Sequence, residues 1–392
     1  MIAFGFAAIT LAIWLTLVLA RGYFWQARES DDSLPIIADA EARELRVTAI
    51  VPARDEAETI ARCVTSLLRQ ECAVRFDVVV VDDQSSDGTG DIARAAAQAF
   101  GAADRLTVLR GEDPPTGWTG KLNAMRAGLA LVDARPIGER ADYILFTDAD
   151  IEHAPDVLGR LVGGAERQGL TLVSLMAKLA CVSRAERWLI PAFVYFFQML
   201  YPFAWVNDPR RRIAAAAGGC MLVRRDALAR AGGLDAIRAA LIDDCALGAA
   251  MKATGPIFLG LTRRVTSLRP YPRLADIRRM IVRSAYAELD YSPLRLAGAT
   301  LGMAVTFLAP VVLAGHSDPA TGMMALGAYV MMALSYRPML RFYGLGAWRG
   351  LFLPAIAAVY MAFTLESALA HWRGEGGAWK GRFQASAGSG GK

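Results

Sequence analysis

Four consecutive valines, Val78 to Val81, run directly into Asp82-Asp83-Gln84-Ser85-Ser86-Asp87-Gly88-Thr89. A β-branched run of this kind reads as a strand buried on both faces, the setting of a parallel sheet. Small, polar, turn-forming residues follow it, and Asp91 to Ala99 then reads as an Ala-rich helix. Strand, acidic turn and helix make the unit of an α/β sheet, and such sheets bind ligands at the carboxyl ends of their strands. Buried carboxylates need partners. Asp82 and Asp83 are therefore either ligand-binding groups or caps for the helix that follows.

The same unit recurs along the chain. Val47 to Val51 is a short strand ending in Pro52-Ala53-Arg54-Asp55-Glu56, and Glu58 to Gln70 is helical. Leu106 to Leu109 is a strand followed by a loop that reaches Lys121, and Asn123 to Val132 is a helix. Tyr143 to Phe146 is a further strand, ending in Thr147-Asp148-Ala149-Asp150. Strands alternating with helices predict an α/β fold, a mostly parallel sheet with helices on both faces. Twice in that sheet a strand delivers carboxylates at its carboxyl end. Beyond the helix Pro155 to Arg167 the pattern loosens, and Leu172 to Leu179 fits one more strand.

The remainder of the chain is written for a membrane. Ile2 to Ala20 carries no charge and is long enough to span a bilayer, which takes about 20 residues. Arg21 and Arg28 come after it, whereas a signal peptide places its charge before the apolar stretch. A retained anchor is expected, with the next domain on the cytoplasmic side. Ala297 to Gly315, Ala320 to Tyr336 and Leu351 to Ala370 are three more apolar segments, the middle one short. Arg337, Arg341 and Arg349 precede the last segment, and Arg373, Lys380 and Arg382 follow it. Three full spans would place the basic tail outside, so one segment is expected to be re-entrant or interfacial. Trp188 to Val206 is uncharged and rich in aromatics; it reads as a core helix or as a stretch at the membrane interface.

Composition agrees with this division: 54% of the residues are hydrophobic and the formal net charge is +5. The basic excess is mostly Arg near the apolar segments, which points to anionic lipid and away from nucleic acid. Five Cys without a C-x-x-C, and three His, argue against a zinc site, a disulfide framework or a multi-His centre. The expected organisation is a transmembrane helix (1–21), a linker (22–46), a catalytic domain (47–290), membrane segments (291–372) and a tail (373–392). The expected location is a bacterial-type inner membrane, crossed several times, with the catalytic domain in the cytoplasm.

Asp148 and Asp150 flank one turn, and carboxylate with phosphate oxygens is what Mg²⁺ or Mn²⁺ prefers. A lone D-x-D arises often by chance. Here it joins a D-D-x-S-x-D-G-T turn and a later D-D-x-x-L, Asp243-Asp244-Cys245-Ala246-Leu247. Asp82 to Thr89 and Thr147 to Ile151 resemble the nucleotide-sugar motifs of the family 2 glycosyltransferases, which have the GT-A fold. Pro52 to Glu56 is similar to that family's opening strand-end motif. Ala217 to Leu228 resembles its acceptor-side segment, and Asp243 to Leu247 its E-D-x-x-L catalytic motif. The resemblance covers roughly residues 47 to 290. Within the family it is greatest to membrane-bound enzymes that glycosylate lipids, such as ceramide glucosyltransferases. Phe193 to Arg212 and Gly117 to Lys121 look more specifically like the hopanoid-biosynthesis-associated (HpnB) type.

The resemblance implies a nucleoside-diphosphate sugar as donor, a UDP-sugar being favoured, with Mg²⁺ or Mn²⁺, and a lipid hydroxyl as acceptor. Pro52, Ala53, Asp55, Glu56, Asp82 and Asp83 would hold the nucleoside, and Asp148 and Asp150 the metal and diphosphate. Lys121 would lie beside the phosphates; a solvated surface lysine is the plain alternative. Asp244 would be the base, with Asp243 in the place of the family's Glu. Gly218, Gly219, Cys220 and Arg283 would face the acceptor. The chain departs from the family's Q-x-x-R-W, having Met280 and Ser284 around Arg283. Trp379-Lys380-Gly381-Arg382 is either a substitute there or a membrane anchor. A transfer by one displacement inverts the anomeric centre. A polyprenyl-phosphate sugar synthase is the main alternative. A nucleotidyltransferase would not need membrane segments on both sides, and an inactive scaffold would gain nothing from so many carboxylates.

Overall fold

A computed structural model describes residues 1–374, 378–379 and 382–383. The chain divides into two compact units. The first is built from Met1–Arg28, Ala180–Ala204 and Tyr271–Gly377; the second is built mainly from Glu29–Leu179 and Trp205–Pro270. Residues 180–204 and 271–290 thus group with the apolar helices. Lys380, Gly381 and the Gly/Ser tail lie outside the described residues.

The second unit is an eight-stranded sheet with helices. Its strands are β1 (Arg46–Ala53), β2 (Arg75–Asp82), β3 (Leu106–Arg110), β4 (Tyr143–Phe146), β5 (Ile151–His153), β6 (Leu172–Lys178), β7 (Met221–Arg224) and β8 (Ile257–Ser267). The spatial order is β3-β2-β1-β4-β7-β6-β8-β5. β3, β2, β1 and β4 are parallel, in registers that pair Ala53 with Asp82 and Asp82 with Arg110. The valine run is fully buried, because helices cover both faces of a parallel sheet. The second half of the sheet is mixed. β7 runs antiparallel to β4 and to β6, β8 is parallel to β6, and β5 is antiparallel to β8. The expected parallel order therefore holds on one side of β4 only.

Helices Ile60–Leu68, Thr89–Ala99, Gly120–Asp133 and Val157–Gln168 follow the strands as the sequence predicts. Asp82 and Asp83 do not cap the helix after them. Gly88 holds the N-cap position, and Asp87 takes the Thr89 amide at 3.1 Å.

Among the described residues, four helices are long and apolar enough to cross a membrane: Ile2–Leu19, Arg184–Val206, Pro293–Leu313 and Ala347–Trp372. Pro319–Ser335 has 17 residues, about 26 Å at 1.5 Å per residue, short of a hydrocarbon core of about 30 Å. Two polar side chains of the first helix are matched to backbone. Thr10 Oγ1 and Trp14 Nε1 donate to the carbonyls of Val305 and Thr306 at 2.9 and 2.7 Å, at a π-helical turn, Ala304–Leu308, whose wider spacing changes the ordinary ladder. The helix Arg184–Leu200 opens on a capping box formed by Ser183 and Glu186. It packs within its unit, with Tyr195 bonded to Ser335 at 2.7 Å and Leu189 O accepting from Tyr360 at 2.8 Å.

Candidate active site

The site lies in the second unit, where the parallel strands end. β1 leaves the sheet after Ala53, and Asp55 turns the chain at φ +50°. Such a conformation is tolerated by Asp because its short side chain bonds locally. Here Asp55 accepts from Ser86 N at 2.8 Å and Ser86 Oγ at 3.1 Å, and its own N–H donates to Ser85 Oγ at 3.0 Å. The loops after β1 and β2 are thereby tied together. Asp82 accepts from Ser85 N at 2.9 Å. The Asp83 side chain is buried, its Oδ2 3.7 Å from the Arg54 guanidinium, and Arg54 donates to Asp83 O at 2.6 Å. Pro52 and Ala53 are buried in β1, so only their backbone is placed to meet a ligand.

β4 delivers Asp148 and Asp150. Lys121, in the first turn of the helix Gly120–Asp133, sits 2.9 Å from Asp148 Oδ1 and 3.0 Å from Asp243 Oδ2. Thr119 caps that helix by accepting from Leu122 N at 3.3 Å. Only 17% of the Lys121 side chain is exposed, so the solvated surface lysine is excluded. The carboxylates Asp148 and Asp243 push its pKa up against the opposing effect of burial. The pKa of Asp148 is itself raised, first by desolvation, with Lys121 opposing and Asp150 and Asp243 reinforcing.

Asp243 and Asp244 open the helix Asp243–Lys252, but neither is its cap; Ile242 is, without a side-chain bond. Asp244 is fixed by two backbone amides, Gly218 N to Oδ2 at 2.9 Å and Cys245 N to Oδ1 at 2.8 Å. Its pKa is pushed up to about 6, by burial first and the Asp243 charge second, with Lys121 and the two amides opposing. Gly218 is at the centre of this group. A Cβ there would stand 3.4 Å from both Asp244 Oδ2 and Lys121 Nζ.

Not every candidate comes to this place. Gly219 is near it through its carbonyl, which accepts from Thr147 Oγ1 at 2.7 Å. Cys220 is fully buried in the hydrophobic core with Leu222 and Ile151, so its side chain cannot meet an acceptor. Cys220 directly precedes β7, where Met221, Leu222 and Val223 are buried too. Arg283 belongs to the first unit, exposed at the C-cap of the helix Leu274–Val282. One residue escaped the sequence reading. Arg269, just beyond β8, donates through Nε to Asp150 Oδ2 at 2.7 Å and through Nη2 to both Glu56 oxygens at 2.6 and 2.8 Å. No local motif marks it.

Among the described residues, no three His, Cys, Asp or Glu side chains form a protein-only metal cage. One or two carboxylates at a strand end instead suit a cation that takes its other ligands from phosphate.

Residues 48–232 match the family described as Glycosyl transferase family 2. An N-acetylglucosaminyltransferase of Rhizobium leguminosarum bv. viciae is 26% identical over 232 residues, 57% of this chain and 49% of that protein. A dolichyl-phosphate beta-glucosyltransferase of Mus musculus is 28% identical over 226 residues, 53% of this chain and 63% of that protein. The chain thus spans half to somewhat under two thirds of these relatives. A mannosyltransferase of Pyrobaculum calidifontis, solved with GDP-Man and Mn²⁺, superposes over 94% of this chain and 99% of its own, with a TM-score of 0.52 and 21% identity. That likeness is one of fold. Residues 48–232, the segment similar to the glycosyl transferase family 2 model, thus carry parallel strands ending in paired carboxylates, within a GT-A-like α/β fold shared with that mannosyltransferase.

Proposed function

We propose that this chain is a membrane-bound, inverting glycosyltransferase that moves a sugar from a nucleoside-diphosphate sugar to the hydroxyl of a lipid. The observation that carries this is Asp244: a carboxylate fixed by two amides, with its pKa brought to about 6, beside the Lys121–Asp148–Asp243 group. A hydroxyl acceptor must lose a proton as it attacks, and a base with a pKa near the working pH is suited to take it. Asp244 has lone pairs left beyond the two amide bonds, so it can orient the hydroxyl and hold its proton. Lys121 holds positive charge where a leaving diphosphate gains negative charge. Asp55 and Asp82, at the ends of β1 and β2, hold the nucleoside. When bound, Mg²⁺ or Mn²⁺ on Asp148 and Asp150 supplies neutralisation of the diphosphate.

The four membrane-length helices favour a lipid acceptor, and Trp188 to Val206 is the stretch we assign to delivering it. A hopanoid-type lipid is the acceptor suggested by the resemblance of Phe193 to Arg212, and UDP is the favoured carrier. The catalytic unit is assigned to the cytoplasmic face of an inner membrane, from Arg21 and Arg28. The second reading is a polyprenyl-phosphate sugar synthase, favoured by similarity to the dolichyl-phosphate beta-glucosyltransferase. Its acceptor is already an anion and needs no base, so it leaves Asp244 without a task. The test is a screen of radiolabelled UDP- and GDP-sugars with host membranes and mass spectrometry of the lipid product. A glycosidic ether on a lipid alcohol supports the first reading; a sugar phosphodiester supports the second.

A further inference from the structure

Arg269 holds two carboxylates of the candidate site, Asp150 and Glu56. Its Nε is 2.7 Å from Asp150 Oδ2, and Nη2 spans both oxygens of Glu56 at 2.6 and 2.8 Å. The backbone fixes this placement. β5 and β8 pair Ile151 with Ser267, and Leu268 N donates to Asp150 O at 2.7 Å. The Asp150 and Glu56 side chains are 15% and 11% exposed, whereas Arg269 is 34% exposed. Arg269 also lines a cavity of about 270 Å³ with Asp55, Glu56, Glu58 and Asp87. A partly exposed cation therefore covers two more deeply buried anions at the rim of a cavity.

We infer that Arg269 is an exchangeable counter-ion: it neutralises Asp150 in the empty site, and yields that carboxylate to the divalent cation by turning its guanidinium to the donor's diphosphate. The inference rests on the donor and metal proposed above. Its physical basis is charge. Glu56, Asp148, Asp150, Asp243 and Asp244 are five carboxylates, and Lys121 and Arg269 are two formal positives. A divalent cation arriving alone must displace Arg269 from Asp150 and leave the guanidinium without that partner. Arriving with a diphosphate, it brings the displaced guanidinium a bidentate anion, the geometry arginine prefers. Metal and nucleotide should consequently bind cooperatively, and the coupling must be equal in both directions.

The test is Mn²⁺ binding to the detergent-solubilised full chain, read from the EPR signal of free Mn²⁺, with and without UDP or GDP and with no turnover. In the wild type, nucleotide should tighten Mn²⁺ binding by about tenfold or more, within the usual span of such couplings. Arg269→Gln should tighten nucleotide-free Mn²⁺ binding and reduce the nucleotide effect to about threefold or less, as expected when a coupling is removed. Arg269→Lys keeps a charge but loses the planar fork that spans the two carboxylates and suits a diphosphate, so it should fall between them. It carries the test if the Gln variant does not fold. Equal Mn²⁺ affinity in wild type and both variants would overturn the inference. So would weaker binding in both variants, which would make Arg269 a support for Asp150. Mn²⁺ binding that Asp150→Ala leaves unchanged would instead remove the metal site itself, and the inference with it.

Discussion

The pH dependence of kcat/KM is the most direct check on Asp244, because that parameter reports the groups of the free enzyme. Burial and the Asp243 charge raise the Asp244 pKa to about 6, with Lys121 opposing. A base must be ionised to act, so activity should rise with pH through about 6 and level off above it. At pH 5 only about one molecule in ten would carry the ionised form, and kcat/KM should lie about tenfold below its plateau. Asp244→Asn keeps the size and removes the proton acceptor. Loss of a general base costs about 10²- to 10⁴-fold in rate, and the acid limb should vanish with it. Stability should change little. Asn has one acceptor oxygen for the two amides of Gly218 and Cys245, a loss of about 1 kcal/mol. Against this, it relieves a buried charge: with the folded pKa raised, ionised Asp244 costs stability as pH rises from about 4 to 6. Thermal unfolding at pH 7 would confirm that the variant is folded. An Asn variant with turnover within about threefold of wild type, far below the general-base effect, would refute the assignment and leave Asp244 a structural carboxylate in the first helical turn.

Lys121→Gln removes the positive charge that lowers the Asp244 pKa; the acid limb should move to higher pH, and donor KM should rise about tenfold or more, as for the loss of a charge-assisted bond. EDTA should abolish turnover, and Asp150→Ala should remove Mn²⁺-dependent nucleotide binding measured by calorimetry, because the donor set of Asp148 and Asp150 needs a cation to meet a diphosphate. Cys220→Ala should cost about 1–3 kcal/mol in denaturant unfolding, as for a small buried truncation, and leave acceptor KM unchanged, since the thiol is buried in the core. A reporter fused near Asp39 should behave as cytoplasmic; periplasmic activity would reverse the assigned topology.

Local pattern was enough for the parallel half of the sheet. Val78 to Val81 can be satisfied only by burial on both faces, and each acidic turn marks the place where such a strand emerges. That logic put Asp55, Asp82, Asp148 and Asp150 at one edge without knowledge of strand order, because parallel strands align their carboxyl ends. It could not reach the mixed half. β5 has three residues, and β7 has four, too few for a period to show, and their direction depends on partners distant in the chain. Cys220 shows the same limit: the motif around it is legible, but packing from distant segments buries residues 220–223 and encloses the thiol in the core. Lys121 and Arg269 show it most plainly. An arginine after a strand carries no signal of its own, and the resemblance that marked Lys121 did not show which carboxylates it would meet. Asp150 meets Arg269 across 119 positions only because β8 lies beside β5, and Lys121 meets Asp243 only because the helix Asp243–Lys252 starts beside Gly218. The sequence determined which strands end in carboxylates; tertiary pairing alone decided which cations neutralise them, because charge partners are chosen by distance in space.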